Sequence, residues 1–217
     1  MEGNPEARAE LTRLLGAPHL PAVSIGGRVA HGWNPPAYAK LLGIEYEAPR
    51  KLPPDELGRR LDRILAHAGR LVERIPDDRM DWKPPQRDRS LRDLAFHIFR
   101  LSLSFADGMD MGKLPEGWLG EKAPADLDVG PAVARYGALV RARLGGWFEG
   151  AGPGEFARVI DVYYGPQSGH DLLERTTWHA AQHLRQLHVM LDELGVGPLD
   201  PLPTVDFEGL PMPASLW

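Results

Sequence analysis

Apolar residues recur every three or four positions through most of the chain between residues 50 and 195, the period that lays a stripe along an α-helix. Four stretches carry it. From Asp55 to about Arg74, residues Leu57, Leu61, Ile64, Ala68 and Leu71 share one face, and Ile75 continues it. From Ser90 onward Leu91, Leu94, Ile98, Leu101 and Phe105 do the same; the Ser90 hydroxyl can cap this helix, and Asp93 sits in the first turn, where a negative charge is favoured. A third pattern runs from about Pro131 to Glu149. A fourth runs from about Ser168 to Leu194, with Leu173, Thr177, Ala180, Leu184, Leu187, Leu191 and Leu194 as its seam. Four amphipathic helices predict a mainly α fold, a four-helix bundle, with a long Gly-, Pro- and Asp-rich loop over about residues 107–130.

The pattern differs at both ends. Pro5 to Leu15 has helical spacing and stops at Gly16; Ala22 to Ile25 and Arg28 to Ala30 are short β-type runs split by Gly26-Gly27, a two-residue hairpin turn. Asn34, Pro35 and Gly43 then suit the N-cap, first turn and C-terminal stop of a helix ending at Leu42. The segment therefore reads as a small α-β-β-α module. After residue 195, prolines 198, 201, 203, 211 and 213 exclude a helix and predict a surface-wrapping tail anchored by Leu210, Met212, Leu216 and Trp217. The expected divisions are residues 1–46, 47–195 and 196–217.

Composition narrows the chemistry. The chain has 217 residues, 43% hydrophobic and 25% charged, with a net charge of −5 and no basic run of the kind that tracks a phosphate backbone, so no nucleic acid partner is expected. No apolar run approaches the roughly 18 residues of a membrane-spanning helix, and MEGNPEARAE lacks a signal-peptide layout, so the expected location is the cytoplasm, away from the membrane. Cysteine is absent, which excludes disulfides, a cysteine nucleophile and thiolate metal ligands; any metal must sit on His, Asp or Glu. No nucleophile elbow, phosphate-binding loop or dinucleotide fingerprint is present.

The histidines are the best-placed chemical groups. His179 and His183 lie one turn apart on the fourth helix, on one stripe beside its seam, where two imidazoles can converge on one ion. His170 and His188 fall on the opposite flank. His97, in the apolar setting LAFHIF of the second helix, should be either neutral and hydrogen-bonded or a metal ligand. His67 shares its flank with Arg60, Arg63 and Arg74, which reads as a solvated face, and His19 and His31 belong to the small N-terminal module. Tyr163, Tyr164, Gln167 and Gln186 either pack or line a ligand pocket.

The segments IPDDRMDWKPPQRDRSLRDLAFHIFRL and YYGPQSGHDLLERTTWHAAQHLRQLHVMLDELG together resemble the DinB/YfiT-like metalloprotein superfamily, over about residues 50–195. The resemblance implies a divalent ion held by His97, His179 and His183, with zinc first and nickel or iron as alternatives. It also implies chemistry on low-molecular-weight thiols such as mycothiol, bacillithiol or glutathione: a metal-dependent S-transferase or related enzyme taking a small-molecule ligand. The segment ARAELTRLLGAPHLPAVSIGGRVAHGWNPPAYAKLLG, residues 7–43, resembles the second half of a glutaredoxin-like domain, with Leu20-Pro21 at the cis-proline position. The strand–helix unit bearing that fold's redox cysteines is missing, so thiol–disulfide exchange is not expected, and the open hairpin edge is expected either to pair with a second copy, giving a homodimer, or to dock on the bundle. Two other readings stand beside the enzyme: a non-catalytic metal-binding or stress-response module, and a metal-free interaction domain.

Overall fold

A computed structural model describes residues 4–16, 21–32 and 34–217. The chain divides into two compact units: residues 1–50 with 161–167, and residues 51–160 with 168–217.

The first unit is built from local signals. Helix α1 (Pro5–Leu15) is capped by Asn4, whose Oδ1 accepts from Ala7 N at 3.0 Å, and ends at left-handed Gly16. Strands β1 (Ala22–Ile25) and β2 (Arg28–His31) pair antiparallel from Ala22↔His31 to Ile25↔Arg28. Their turn needs positive φ at both central positions, and Gly26 (+54°) and Gly27 (+76°) supply it. Helix α2 (Pro35–Leu42) repeats the Asn cap, with Ala37 N donating to Asn34 Oδ1 at 3.1 Å. The α-β-β-α order is thus as expected, whereas His19, Leu20 and the expected cis-proline bond lie outside the described residues. Gly32 explains why residues 161–167 join this unit: a Cβ there would lie 1.9 Å from the Tyr164 carbonyl oxygen, so only glycine permits the approach.

The second unit is the helical bundle of α3 (Pro54–Val72), α4 (Leu91–Met111), α5 (Gly130–Gly150) and, beyond the short α6 (Pro153–Ala157), α7 (Gly169–Glu193). Helices α3 and α4 each pack on both α5 and α7, so the two that follow one another in sequence lie mainly across the diagonal, and α4 lies beside α7. The seam residues named above are buried on all three helices for which they were read, including Leu57, Ile64, Ile98, Phe105, Leu173 and Leu184, except Leu194, which is half-buried at the C-cap of α7. Ser90 and Ser168 cap α4 and α7, each accepting from the backbone N–H three residues on, of Asp93 and Asp171, at 3.1 Å. At the α4–α5 contact a Cβ on Gly137 would sit 2.5 Å from the Phe99 ring, so the glycine sets how closely the helices approach.

Three expectations need correction. Helix α4 continues to Met111 instead of yielding to a loop near residue 107. Asp107, Gly108 and Asp110 read as helix breakers, yet the Asp110 carboxylate accepts from Trp147 Nε1 at 3.1 Å and pairs with Arg143, while Gly108 lies against Leu114, so tertiary contacts outweigh propensity. The segments around α4 and α7 also hold short strands that the helical reading missed: β3 (Lys113–Leu114), β4 (Val159–Val162) and β5 (Gln167–Ser168), in the order β3-β4-β5. The alternation of exposed Val159 and Asp161 with buried Ile160 and Val162 was there to read, but over only four residues.

The third concerns the arginine flank of α3, which is a docking strip rather than a solvated face. Residues 195–217 hold one 3-10 turn (Thr204–Phe207) and otherwise no helix or strand, and from Pro198 to Glu208 they run antiparallel to α3. Arg74 donates to the Pro198 carbonyl, Arg70 pairs with Asp200, Arg63 with buried Asp206 at 2.7 Å, and Arg60 donates to the Glu208 carbonyl. In consequence His67 is buried, with 4% of its surface exposed. Periodicity could place the arginines on one flank but could not know that the tail would cover it.

Candidate metal centre

Helix α4 carries His97 two turns beyond its Ser90 cap, and α7 carries His179 and His183 on the stripe facing α4. The three rings meet. Their centroids are 4.8 Å apart for His97–His183, 5.9 Å for His97–His179 and 4.6 Å for His179–His183, and one ring nitrogen from each lies within 4.8 Å of the others. Among the described residues this is a group of side chains able to hold a metal ion. Nitrogens about 2.05 Å from one tetrahedral ion are roughly 3.3 Å apart, so modest closure of the rings suffices.

Burial decides the protonation of the cluster. Removal from water pushes the His97 imidazole down to about 2, helped by the charges of His183, Arg89 and His179. The same desolvation takes His183 to about 4, opposed by its hydrogen bond to Gln186 and reinforced by Arg89 and Arg87. His179 is also held well below its usual range, first by burial and then by His183, Arg175 and Arg89. At neutral pH all three rings are uncharged, the state in which imidazole ligates metal.

Which nitrogen is available on His183 follows from its partners. Its Nδ1 lies 2.7 Å from Gln186 Oε1, and Gln186 Nε2 donates to the Leu216 carbonyl at 2.6 Å. The amide nitrogen must face that carbonyl, so its oxygen faces the ring and Nδ1 carries the proton. Nε2 then bears a lone pair, and it is buried without a hydrogen-bond partner. A buried acceptor left bare is costly unless something occupies it, and a metal ion suits the set of three neutral nitrogens.

The other expected site residues are placed as follows. Gln186 is at the site, hydrogen-bonded to His183, and it also borders a small void. Tyr163, Tyr164 and Gln167 fall in the unit containing the N-terminal hairpin, whereas the histidines fall in the bundle. His170 bonds the Leu52 carbonyl at 2.8 Å, and His188 lies towards His67. The sequence reading did not anticipate Gln182, which donates to the carbonyls of Ser215 at 3.0 Å and Leu216 at 2.7 Å, nor Arg89 beside the imidazoles. A void of about 10 Å³ bordered by Arg89, Leu94, Gln186, Met190 and Trp217 lies beside Gln186, and a groove of about 560 Å³ lies between α3 and α5. His179 is the one partly exposed imidazole of the three.

No curated protein matches the chain. Among solved structures it is similar to the crystal structure of a DinB-like protein, YjoA, from Bacillus subtilis, with a TM-score of 0.56 and 19% identity over 67% of this chain and 96% of that one. That likeness is one of fold. None of the helices is long and apolar enough to cross a membrane among the described residues. The sequence model of the DinB superfamily matches residues 52–187, which span the bundle from the start of α3 almost to the end of α7 with all three histidines inside, and the chain belongs to that superfamily.

Proposed function

We propose that this chain binds one divalent metal ion through His97, His179 and His183, zinc first and nickel or iron as alternatives, and uses it in a transferase-type reaction on a low-molecular-weight thiol. The observation that carries the metal reading is the convergence of three neutral imidazoles, one with a bare, buried Nε2. Divalent ions are also frequent in the DinB superfamily. Three neutral ligands leave the ion its full charge, which lowers the pKa of a bound thiol or water and favours the anion. The chain has no cysteine, so the thiol must arrive with the ligand. Arg87 and Arg89, whose charges act on the same imidazoles, favour an anionic one such as glutathione.

One observation favours a second reading, a non-catalytic metal module: two of the three imidazoles, those of His97 and His183, are buried, each with 5% of its surface exposed. Elemental analysis and turnover assays separate the two. The enzyme reading expects about one ion per chain, loss of that ion in His179→Ala, and metal-dependent consumption of an electrophile with one of a panel of thiols. Metal without turnover across the panel supports the module, and less than a tenth of an ion per chain overturns both.

The partner reading adds a homodimer through the β1 edge, since β1 pairs with β2 alone among the described residues and Val23 and Ile25 are 37% and 40% exposed. A monomer by light scattering with rapidly exchanging β1 amides contradicts it.

A further inference from the structure

The tail does more than cover α3. After the arginine ladder it crosses to α7, where three polar side chains one turn or less apart receive it. Arg185 donates to the Pro213 carbonyl at 3.1 Å, Gln182 to those of Ser215 and Leu216, and Gln186 to that of Leu216. Arg185 also donates to Gln182 Oε1 at 3.0 Å, so the Gln182 amide is oriented from both ends.

A glutamine amide can turn over, and without a fixed neighbour Gln186 could offer the His183 ring either its oxygen or its NH₂ group. The two choices have opposite consequences. An oxygen facing Nδ1 requires the Nδ1–H tautomer and leaves the Nε2 lone pair for a metal. An NH₂ group facing Nδ1 requires the Nε2–H tautomer, which blocks ligation. The Leu216 carbonyl is an acceptor only, so it removes the second choice.

We infer that the tail sets the metal site: the Leu216 backbone carbonyl orients the Gln186 amide, and Gln186, a positioning residue, thereby holds His183 in the tautomer that can ligate. This rests on the metal-binding reading, yet it also makes a claim about the metal-free protein. Residues 209–217 are then part of the site through Gln186, and detachment of the tail weakens metal binding without unfolding the bundle.

The experiment removes residues 214–217, retaining Leu210 and the whole arginine ladder, alone and combined with Gln186→Glu. A carboxylate at 186 has no donor and accepts from His183 Nδ1–H whether or not the tail is present. Long-range ¹H–¹⁵N NMR reads the His183 tautomer in metal-free protein, chelator competition reads zinc affinity, and circular dichroism reads the fold. The expected result is an Nδ1–H tautomer in the full chain, mixed tautomers and about 10- to 100-fold weaker zinc binding in the folded truncation, and recovery of both in the truncated Gln186→Glu chain. An unchanged tautomer in the folded truncation overturns the inference, as does failure of glutamate to rescue. If the truncation does not fold, Gln186→Leu in the full chain takes its place, and an unchanged tautomer there is equally decisive. A full chain that shows the Nδ1–H tautomer but binds no zinc sustains the tail's role and overturns the metal reading instead.

Discussion

Two buried histidines of the same bundle, His67 on α3 and His183 on α7, show how a single hydrogen bond decides what an imidazole can do. Each has about 5% of its surface exposed, engages its Nδ1 and leaves a buried Nε2 without a partner. At His67 the neighbour is Arg70, a group that can only donate, with NH2 3.1 Å from Nδ1. Nδ1 must accept, the proton moves to Nε2, and the ring presents a donor that cannot ligate a cation. At His183 the neighbour is the Gln186 oxygen, which accepts, so Nε2 keeps its lone pair. Burial and spacing are alike; the partner's polarity separates a structural histidine from a candidate ligand.

The largest expected effect is on metal affinity. His183→Ala should weaken zinc binding by more than about 100-fold, beyond the usual loss for an outer-shell partner, whereas His67→Ala should leave it within about twofold, both read by chelator competition. Equal losses in the two variants would break the comparison. Next in size, Asp206→Ala removes the buried carboxylate that accepts a hydrogen bond from Arg63 Nε at 2.8 Å and pairs with the same guanidinium at 2.7 Å, and should cost about 2 kcal/mol in a urea titration. Arg63 is half exposed and can return to water, so a cost above about 4 kcal/mol is not expected.

Acid should weaken the metal-free bundle. His67, His97, His179 and His183 all have folded pKa values depressed first by burial, from an unperturbed 6.5. Above that value neither state holds the proton and their contribution is complete; as the pH falls below it the unfolded chain binds protons the folded one refuses. Stability is therefore lost as pH drops towards the folded values, about 4 for His183 and about 2 for His97. The slope is at most about 1.4 kcal/mol per pH unit for each histidine, and thermal melts between pH 7 and 5 should show it. His67→Leu should remove one histidine's share of that slope. The same variant at pH 7, the smallest effect, should change stability by less than about 1 kcal/mol, since it deletes an unsatisfied donor along with one hydrogen bond.

Sequence periodicity carried the bundle far. The seams of α3, α4 and α7 and the serine caps were legible because each rests on residues within one helix. The convergence of His97 with His179 and His183 was suggested by two flanking stripes, and the adjacency of α4 and α7 makes it real. What could not be read depends on contacts distant in sequence. The length of α4 turns on Asp110 meeting Arg143 and Trp147, and the burial of His67 on a tail more than 120 residues away. The role of Gln186 turns on the carbonyl of Leu216, a backbone group that every residue possesses and no motif can mark.

Titration of metal-free protein with cobalt(II), followed by its visible d–d absorption, addresses the trihistidine site itself, because band intensity reports low coordination number and the end point reports stoichiometry. The prediction is one ion per chain with a four- or five-coordinate spectrum, abolished in His183→Ala and unchanged in His67→Ala. No saturable spectrum, or the same spectrum after His183→Ala, would contradict it.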